Sequence, residues 1–175
     1  MMTVRQILPP ALAMSAIVLG SNILVQFPIN PWLTWGAFSY PVAYFVTDVC
    51  NRTSGPALAR RVAWVGFSVG LILSILFAPA RIAFASGAAF IISQLLDVAV
   101  FNRLRRTSWW KAPFFGSAAA SVVDTSIFFC VAFVGSTIAW LPLAAGDLGV
   151  KLFMALALLP PYRVLVNRLV PPSSV

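Results

Sequence analysis

Six stretches of this chain are apolar over roughly 20 residues each, long enough to cross about 30 Å of hydrocarbon as helices. They run over roughly 9–29, 34–51, 62–80, 82–103, 113–136 and 146–168. Inside a bilayer every backbone N–H and C=O has to be satisfied within the chain, so runs of this kind become helices. The predicted fold is therefore all-α and polytopic, with six transmembrane helices. The linkers are short, which predicts a single domain over 1–175 with no soluble appendage. Composition agrees: 61% of residues are hydrophobic and 9% charged, outside the range of soluble domains. The first run follows Arg5 in the manner of a signal peptide. It continues too far, however, and no small-residue cleavage site leads into a soluble domain, so it is read as a membrane helix.

The basic residues give the expected orientation. With the N-terminus in the cytoplasm, Arg5, Arg52, Arg60, Arg61, Arg103, Arg105, Arg106, Lys111, Arg163 and Arg168 all fall on the inner side, and only Arg81 and Lys151 fall in the outer half. That asymmetry is a strong positive-inside bias, and it predicts that both termini are cytoplasmic. The net charge of +8 then needs no nucleic acid; topology and anionic inner-leaflet lipid account for it. The second, fourth and sixth runs all end on Asn-Arg, at Asn51-Arg52, Asn102-Arg103 and Asn167-Arg168. Three related hairpins would give this pattern, and so would the plain need for polar, snorkelling residues where helices meet the inner surface.

The acidic residues are harder to place. Glu and His are absent, and the acids are Asp48, Asp97, Asp124 and Asp147. Asp97 stands in ISQLLDVAVFNRLRR, an apolar run without a basic residue until Arg103. Positions four apart share a helix face. Asp97 therefore shares one with Ser93, Ala89 and Ala85, while Asp124 shares one with Ala120 and Gly116, beside Ser117 and Ser121. Small residues mark faces where membrane helices approach closely, so both aspartates are expected to point into the bundle. The Gly66/Gly70/Ser74 face is of the same kind, suited to packing within the chain or to a homodimer. An ionised carboxylate at such depth costs at least about 2.5–3.5 kcal/mol, which makes a functional site the default reading. Asp48 shares its face with Tyr40, Tyr44 and Arg52, the last an expected i,i+4 ion-pair partner. Asp97 has Arg81 or Arg103 as candidate partners, and Asp124 has Lys151. Asp147 is expected at the outer rim as a helix cap. In KLFMALALLPPYRVLVNR, Pro160 and Pro161 predict a break or kink, since 146–159 alone is too short to span.

Catalysis is poorly supported. Without His, the commonest general base and most zinc or haem arrangements are missing. Intramembrane aspartyl proteases carry Gly-x-Gly-Asp, and the residues before Asp48 and Asp97 are VT and LL. Cys50 and Cys130 have no metal-type spacing and are read as reduced packing residues. No metal or cofactor is implied. Carboxylates, Gln94, Asn102 and aromatic rings suit a flat, hydrogen-bonding, polar ligand, which points to transport.

Several separated stretches carry a resemblance: FSYPVAYFVTDVCNRTSGPALARR (38–61), RIAFASGAAFIISQLLDVAVFNRLRR (81–106), WWKAP (109–113), SVVDTSIFF (121–129) and KLFMALALLPPY (151–162). In this order and spacing they resemble the queuosine-precursor transporter family, grouped with vitamin-uptake-transporter-like integral membrane proteins. Many members carry Asn-Glu-x-x-Gly after the first Asp. Here Asn51 and Gly55 are kept and Arg52 replaces the acid, as in one branch of the family. The resemblance implies import of 7-deazaguanines, the precursors of the modified tRNA base queuosine, across the bacterial inner membrane. One carboxylate can accept both N1–H and the exocyclic amine of a guanine-type edge. A second would meet the aminomethyl cation of 7-aminomethyl-7-deazaguanine, and amide or Arg donors would suit the 7-cyano form. The expected site is a central pocket between the second, fourth, fifth and sixth runs. Asp97 and Asp124 are its main acceptors, Asp48, Gln94 and Asn102 complete the polar lining, and Lys151 and Arg81 balance charge. Tyr44, with Tyr40, Phe90 or Phe128, could stack on the ring. Besides a transporter acting alone, two other classes fit the residues: a substrate-binding subunit energised by a partner ATPase, since the chain has no Gly-x-x-x-x-Gly-Lys, and a membrane-embedded enzyme or assembly factor.

Overall fold

The computed structural model describes residues 4–77, 79–137 and 139–169, with the side chains of Val4, Arg5 and Gln6 left out. The termini, Arg5's place among the inner charges, and Ala78 of the third expected run lie outside what is described. Among the described residues, eight helices and one small hairpin follow in order: α1 (Val4–Leu24), β1 (Pro28–Asn30), β2 (Leu33–Thr34), α2 (Gly36–Ser39), α3 (Pro41–Ser54), α4 (Pro56–Phe77), α5 (Ala80–Leu104), α6 (Lys111–Phe133), α7 (Trp140–Ala157) and α8 (Leu159–Leu169). Among the described residues, five stretches are long and apolar enough to cross a membrane: Ile7–Leu24, Pro56–Phe77, Ala80–Leu104, Lys111–Phe133 and Trp140–Ala157. The protein is thus an all-α, polytopic membrane protein apart from its hairpin.

The boundaries follow local chemistry, and several depart from expectation. The first run stops at Leu24, not at 29, because PINPWLT folds into the antiparallel β1–β2 pair, whose turn is braced by Asn30 Oδ1 accepting from the Trp32 amide at 2.8 Å. The second run begins at Gly36 rather than 34, and Pro41, which lacks an N–H, divides it into α2 and α3. Tyr40 between them keeps helical angles, so the direction of the chain is preserved. Gly55 closes α3 at φ +91°, a left-handed geometry that glycine adopts without cost, and Pro56 opens α4 in the first-turn position prolines favour. The sixth run starts at Trp140, six residues earlier than expected, which gives α7 a crossing length of its own. The predicted break is present: α7 ends at Ala157 and α8 begins at Leu159, with Pro160 and Pro161 in its first turn. Asp147 consequently lies inside α7 and caps nothing.

Helices α5 and α6 form the most extensive pair and the centre of the bundle, α1 and α4 pack together on one flank, and α7 lies along α6. Helix α3 threads between them, touching α4, α5, α6 and α8. The small-residue stripes supply the close approaches. Ala85, Ala89, Ser93 and Asp97 are all buried, as are Gly116, Ala120 and Asp124 across from them. A Cβ on Gly116 would stand 2.6 Å from Asp97 Oδ1, so the α6 backbone rests directly on that carboxyl. Gly66 and Gly70 do the same for α1: a Cβ on either would run into Met14 or Val18. That face is used within the chain. Cys50 is buried against this core, whereas Cys130 is exposed on α6 and packs nothing inside.

Close packing at Gly66 and Gly70 leads to a direct expectation. Gly66→Val and Gly70→Val should each lose about 1–3 kcal/mol through overpacking, seen as a lower thermal midpoint of the purified protein in detergent. An unchanged midpoint in both would mean that α1 does not seat on α4 here.

Candidate functional site

A cavity of about 370 Å³ opens among the ends of α1 and α4, the β1–β2 hairpin, and α5, α6 and α7. This lies within the roughly 300–1,000 Å³ typical of small-molecule sites. Its polar wall comes from one turn of α6 facing two turns of α7. Spacing puts Asp147 and Lys151 on one face of α7, four residues apart, and packing turns that face toward Asp124 and Thr125. Lys151 Nζ lies 2.7 Å from Asp124 Oδ2 and 2.5 Å from Asp147 Oδ2, and donates to Thr125 Oγ1 at 3.2 Å. The Thr125 hydroxyl in turn donates to Asp147 Oδ2 at 2.8 Å. Two carboxylates around one ammonium leave the cluster with a net charge of −1, on side chains that are buried or nearly so. The ammonium also sits 5.3 Å from the centroid of the Tyr40 ring, whose edge meets Tyr44 and Phe90.

The rest of the lining is apolar and aromatic, with Tyr40, Phe128, Phe129 and Phe133 on one side and Trp32 of the hairpin on another. Asn22, Ser74 and Ser86 form a small polar patch across the cavity, where the Asn22 amide donates to Ser74 and its carbonyl accepts from Ser86. The hairpin is held over this space by contact with α7 at Gly146, where a Cβ would collide with the Trp32 carbonyl oxygen.

Of the residues singled out in the sequence, the structure brings Asp124 and Lys151 together at the cavity wall, and Tyr40 and Phe128 line it with them. A second buried layer lies behind that wall. Tyr44 donates to Ser93 at 3.0 Å, and Ser93 is 3.2 Å from Asp124 Oδ1, which links the layers. Thr47 contacts Gln94 and Asp97 at 3.0 and 3.2 Å, and Ser117 donates to Asp48 at 3.3 Å. Asp97 and Gln94 do not reach the cavity. Asp48 and Tyr44 instead line a narrow crevice toward α8, which Lys151 also borders. Asn102 is exposed at the end of α5, and Arg81 is exposed and donates to the carbonyls of Val131 and Val134 at the end of α6.

Three expected pairings give way to others. Asp48 forms no ion pair with Arg52, because the guanidinium donates to Tyr162 at 3.0 Å and to the Arg105 carbonyl at 2.8 Å. Arg105 returns the bond to the Arg52 carbonyl at 2.9 Å, so α3, α5 and α8 are clamped together. Asp97 meets neither Arg81 nor Arg103; Thr47 is its hydrogen-bond partner. Asp147 joins the cavity cluster instead of capping a helix. Its i,i+4 spacing to Lys151 was the available signal for that. Nor are the three Asn-Arg endings equivalent: Asn51 is buried and donates to the Val98 carbonyl at 3.2 Å, while Asn102 and Asn167 are exposed.

Residues 34–165 match the family model described as "Putative vitamin uptake transporter". The chain belongs to this transporter family. The Queuosine precursor transporter of Escherichia coli (strain K12) is 35% identical over 183 residues, covering 87% of this chain and 83% of that protein. The Probable queuosine precursor transporter of Haemophilus influenzae is 33% identical, with coverage of 86% and 82%, and that of Bacillus subtilis 33% identical, with coverage of 79% and 73%. No solved structure matches the chain significantly. This family member is a multi-pass membrane transporter and not an enzyme.

The Lys151 cluster yields its own test. Lys151→Met strands two carboxylates in the interior and should cost about 3–5 kcal/mol, as for breaking a buried ion pair from one side. Adding Asp124→Asn should recover part of that loss. Thermal unfolding of the three variants, read as a double-mutant cycle, measures the coupling, and strict additivity would refute it.

Proposed function

We propose that this chain imports 7-deazaguanine precursors of queuosine, 7-cyano-7-deazaguanine or 7-aminomethyl-7-deazaguanine, across the bacterial inner membrane. The observation that carries this is the Asp124–Lys151–Asp147 cluster on the wall of an aromatic-lined cavity, in a chain whose relatives are queuosine precursor transporters by name. A deazaguanine is flat and apolar on its faces, and along one edge it offers adjacent N–H donors. The rings of Tyr40 and Phe128 suit the faces. Asp124, held in place by Lys151 and Ser93, suits the edge through charge-assisted bonds. The cluster's net negative charge favours donors and cations, including an aminomethyl group. Lys151 spends its donors on the two acids and Thr125, and so acts as the positioning residue for both.

The layer behind contributes indirectly. Tyr44 supports the wall through Ser93, Asp97 and Gln94 meet at Thr47, and Asp48 is held by Ser117, while Arg81 and Asn102 serve bundle ends rather than ligand. The chain works as one domain, 1–175, with both termini in the cytoplasm. Helices α2 and α3 make the sixth crossing: at 1.5 Å per residue the run 36–54 reaches about 28 Å, and its polar side chains Thr47, Asp48 and Asn51 are buried in the bundle.

Complementation tests this reading. Bacteria unable to make 7-deazaguanines and lacking their own importer receive the gene and a low dose of 7-cyano-7-deazaguanine, and queuosine is then assayed in tRNA. Queuosine should appear only with the gene. Asp124→Ala or Asp97→Ala should reduce it at least tenfold with the protein still present in the membrane. Normal queuosine with both variants would sink the site assignment, and none with the intact protein would sink the substrate.

A further inference from the structure

The layer behind the cavity contains two carboxylates, Asp97 on α5 and Asp48 on α3, in the driest part of the bundle. Asp97 is 0% exposed and Asp48 2%, and each has an oxygen, Oδ1, that is buried without a partner. The charged and titratable groups around them are engaged elsewhere. Lys151 on α7 is taken by Asp124 and Asp147. Arg52 on α3 is taken by Tyr162 of α8 and the Arg105 carbonyl. Tyr44 on α3 gives its proton to Ser93, the link to Asp124 on α6. No cation among the described residues forms a salt bridge with either acid.

The hydroxyl that faces Asp97, on Thr47, does little to offset its charge. The Thr47 hydroxyl has one proton, yet four oxygens surround it: the Tyr44 carbonyl at 2.9 Å, Gln94 Oε1 at 3.0 Å, Asp97 Oδ2 at 3.2 Å and the Ala43 carbonyl at 3.3 Å. Backbone carbonyls compete for that proton, so Asp97, which faces Thr47 as an acceptor, receives at most a shared bond. Its Oδ1 receives none. Asp48 lies close by, since Gly116 of α6 rests on Asp97 Oδ1 and the next residue, Ser117, donates to Asp48. Two ionised carboxylates so placed without a counter-ion are costly in hydrocarbon, and one proton between them relieves that cost.

We propose that Asp97 and Asp48 form a proton-binding site holding one proton, carried on Asp97 in this conformation, and that this proton is the coupling ion for transport. The second half rests on the transport function proposed above. The position suits the role. The pair lies behind the cavity wall, where Ser93, one turn from Asp97 on α5, meets Asp124, and beside the crevice that Asp48 borders. A proton released from the Asp97 O–H and taken up as a new O–H on Asp48 ends at that crevice.

Two measurements test this. Infrared spectra of the wild-type protein in lipid vesicles at neutral pH should contain a protonated-carboxyl C=O band that shifts in D2O and is lost in Asp97→Asn. Absence of any such band from the wild type would overturn the proposal with no variant needed, and its persistence in Asp97→Asn would also overturn it. In proteoliposomes enclosing a pH dye, external labelled 7-cyano-7-deazaguanine should acidify the lumen as label enters, with at least a tenfold smaller signal in Asp97→Asn. Label that enters without acidification would overturn proton coupling while leaving import intact. Label that fails to enter, with the infrared band in place, would fell the import function and support the proton site.

Discussion

The arrangement of this bundle depends on the cost of a charge in hydrocarbon. Asp124 can sit deep in α6 only because Lys151 reaches it from α7, and Lys151 can sit there only because Asp147, one turn away, shares its charge. That requirement fixes the rotation of α7 about its axis and its height against α6. With α7 fixed, Gly146 faces the hairpin and brings Trp32 over the cavity. Polar geometry thus sets the register, while apolar packing at Gly66, Gly70 and Gly116 sets how near the helices come.

Much of the fold was legible in the sequence because hydrocarbon imposes long apolar runs, and small residues four apart mark the contacts between them. The buried faces of Asp97 and Asp124 follow from that periodicity, as does the pairing of Asp124 with Lys151. What stayed hidden depended on tertiary geometry. PINPWLT reads as a plain continuation of an apolar run, and only pairing of its two arms makes it a hairpin. Asp48 and Arg52 are neighbours on a helix face, but the guanidinium finds a hydroxyl and a carbonyl supplied by α8 and the end of α5, both remote in sequence. Periodicity assigns a side chain to the interior without saying which interior space it meets. That is why Asp97 and Asp147 exchanged prominence once the cavity was in view.

The position of Arg52 carries a related point. Relatives with Glu after this Asn would place an acceptor where this chain places a donor, so the clamp on Tyr162 and Arg105 could not be built in the same way there. In this chain Asn51 ties α3 to the Val98 carbonyl of α5, and Gly55 makes the turn into α4. Arg52, next to Asn51, fastens α8 through Tyr162.

One further property follows from Lys151 bordering both the large cavity and the narrow crevice beside Asp48. Its ammonium, over the Tyr40 ring, is held at that shared wall by Asp124 and Asp147. A solute that bonded to the Asp124 carboxylate would compete with Lys151 for it, so the two spaces have one ion pair in common.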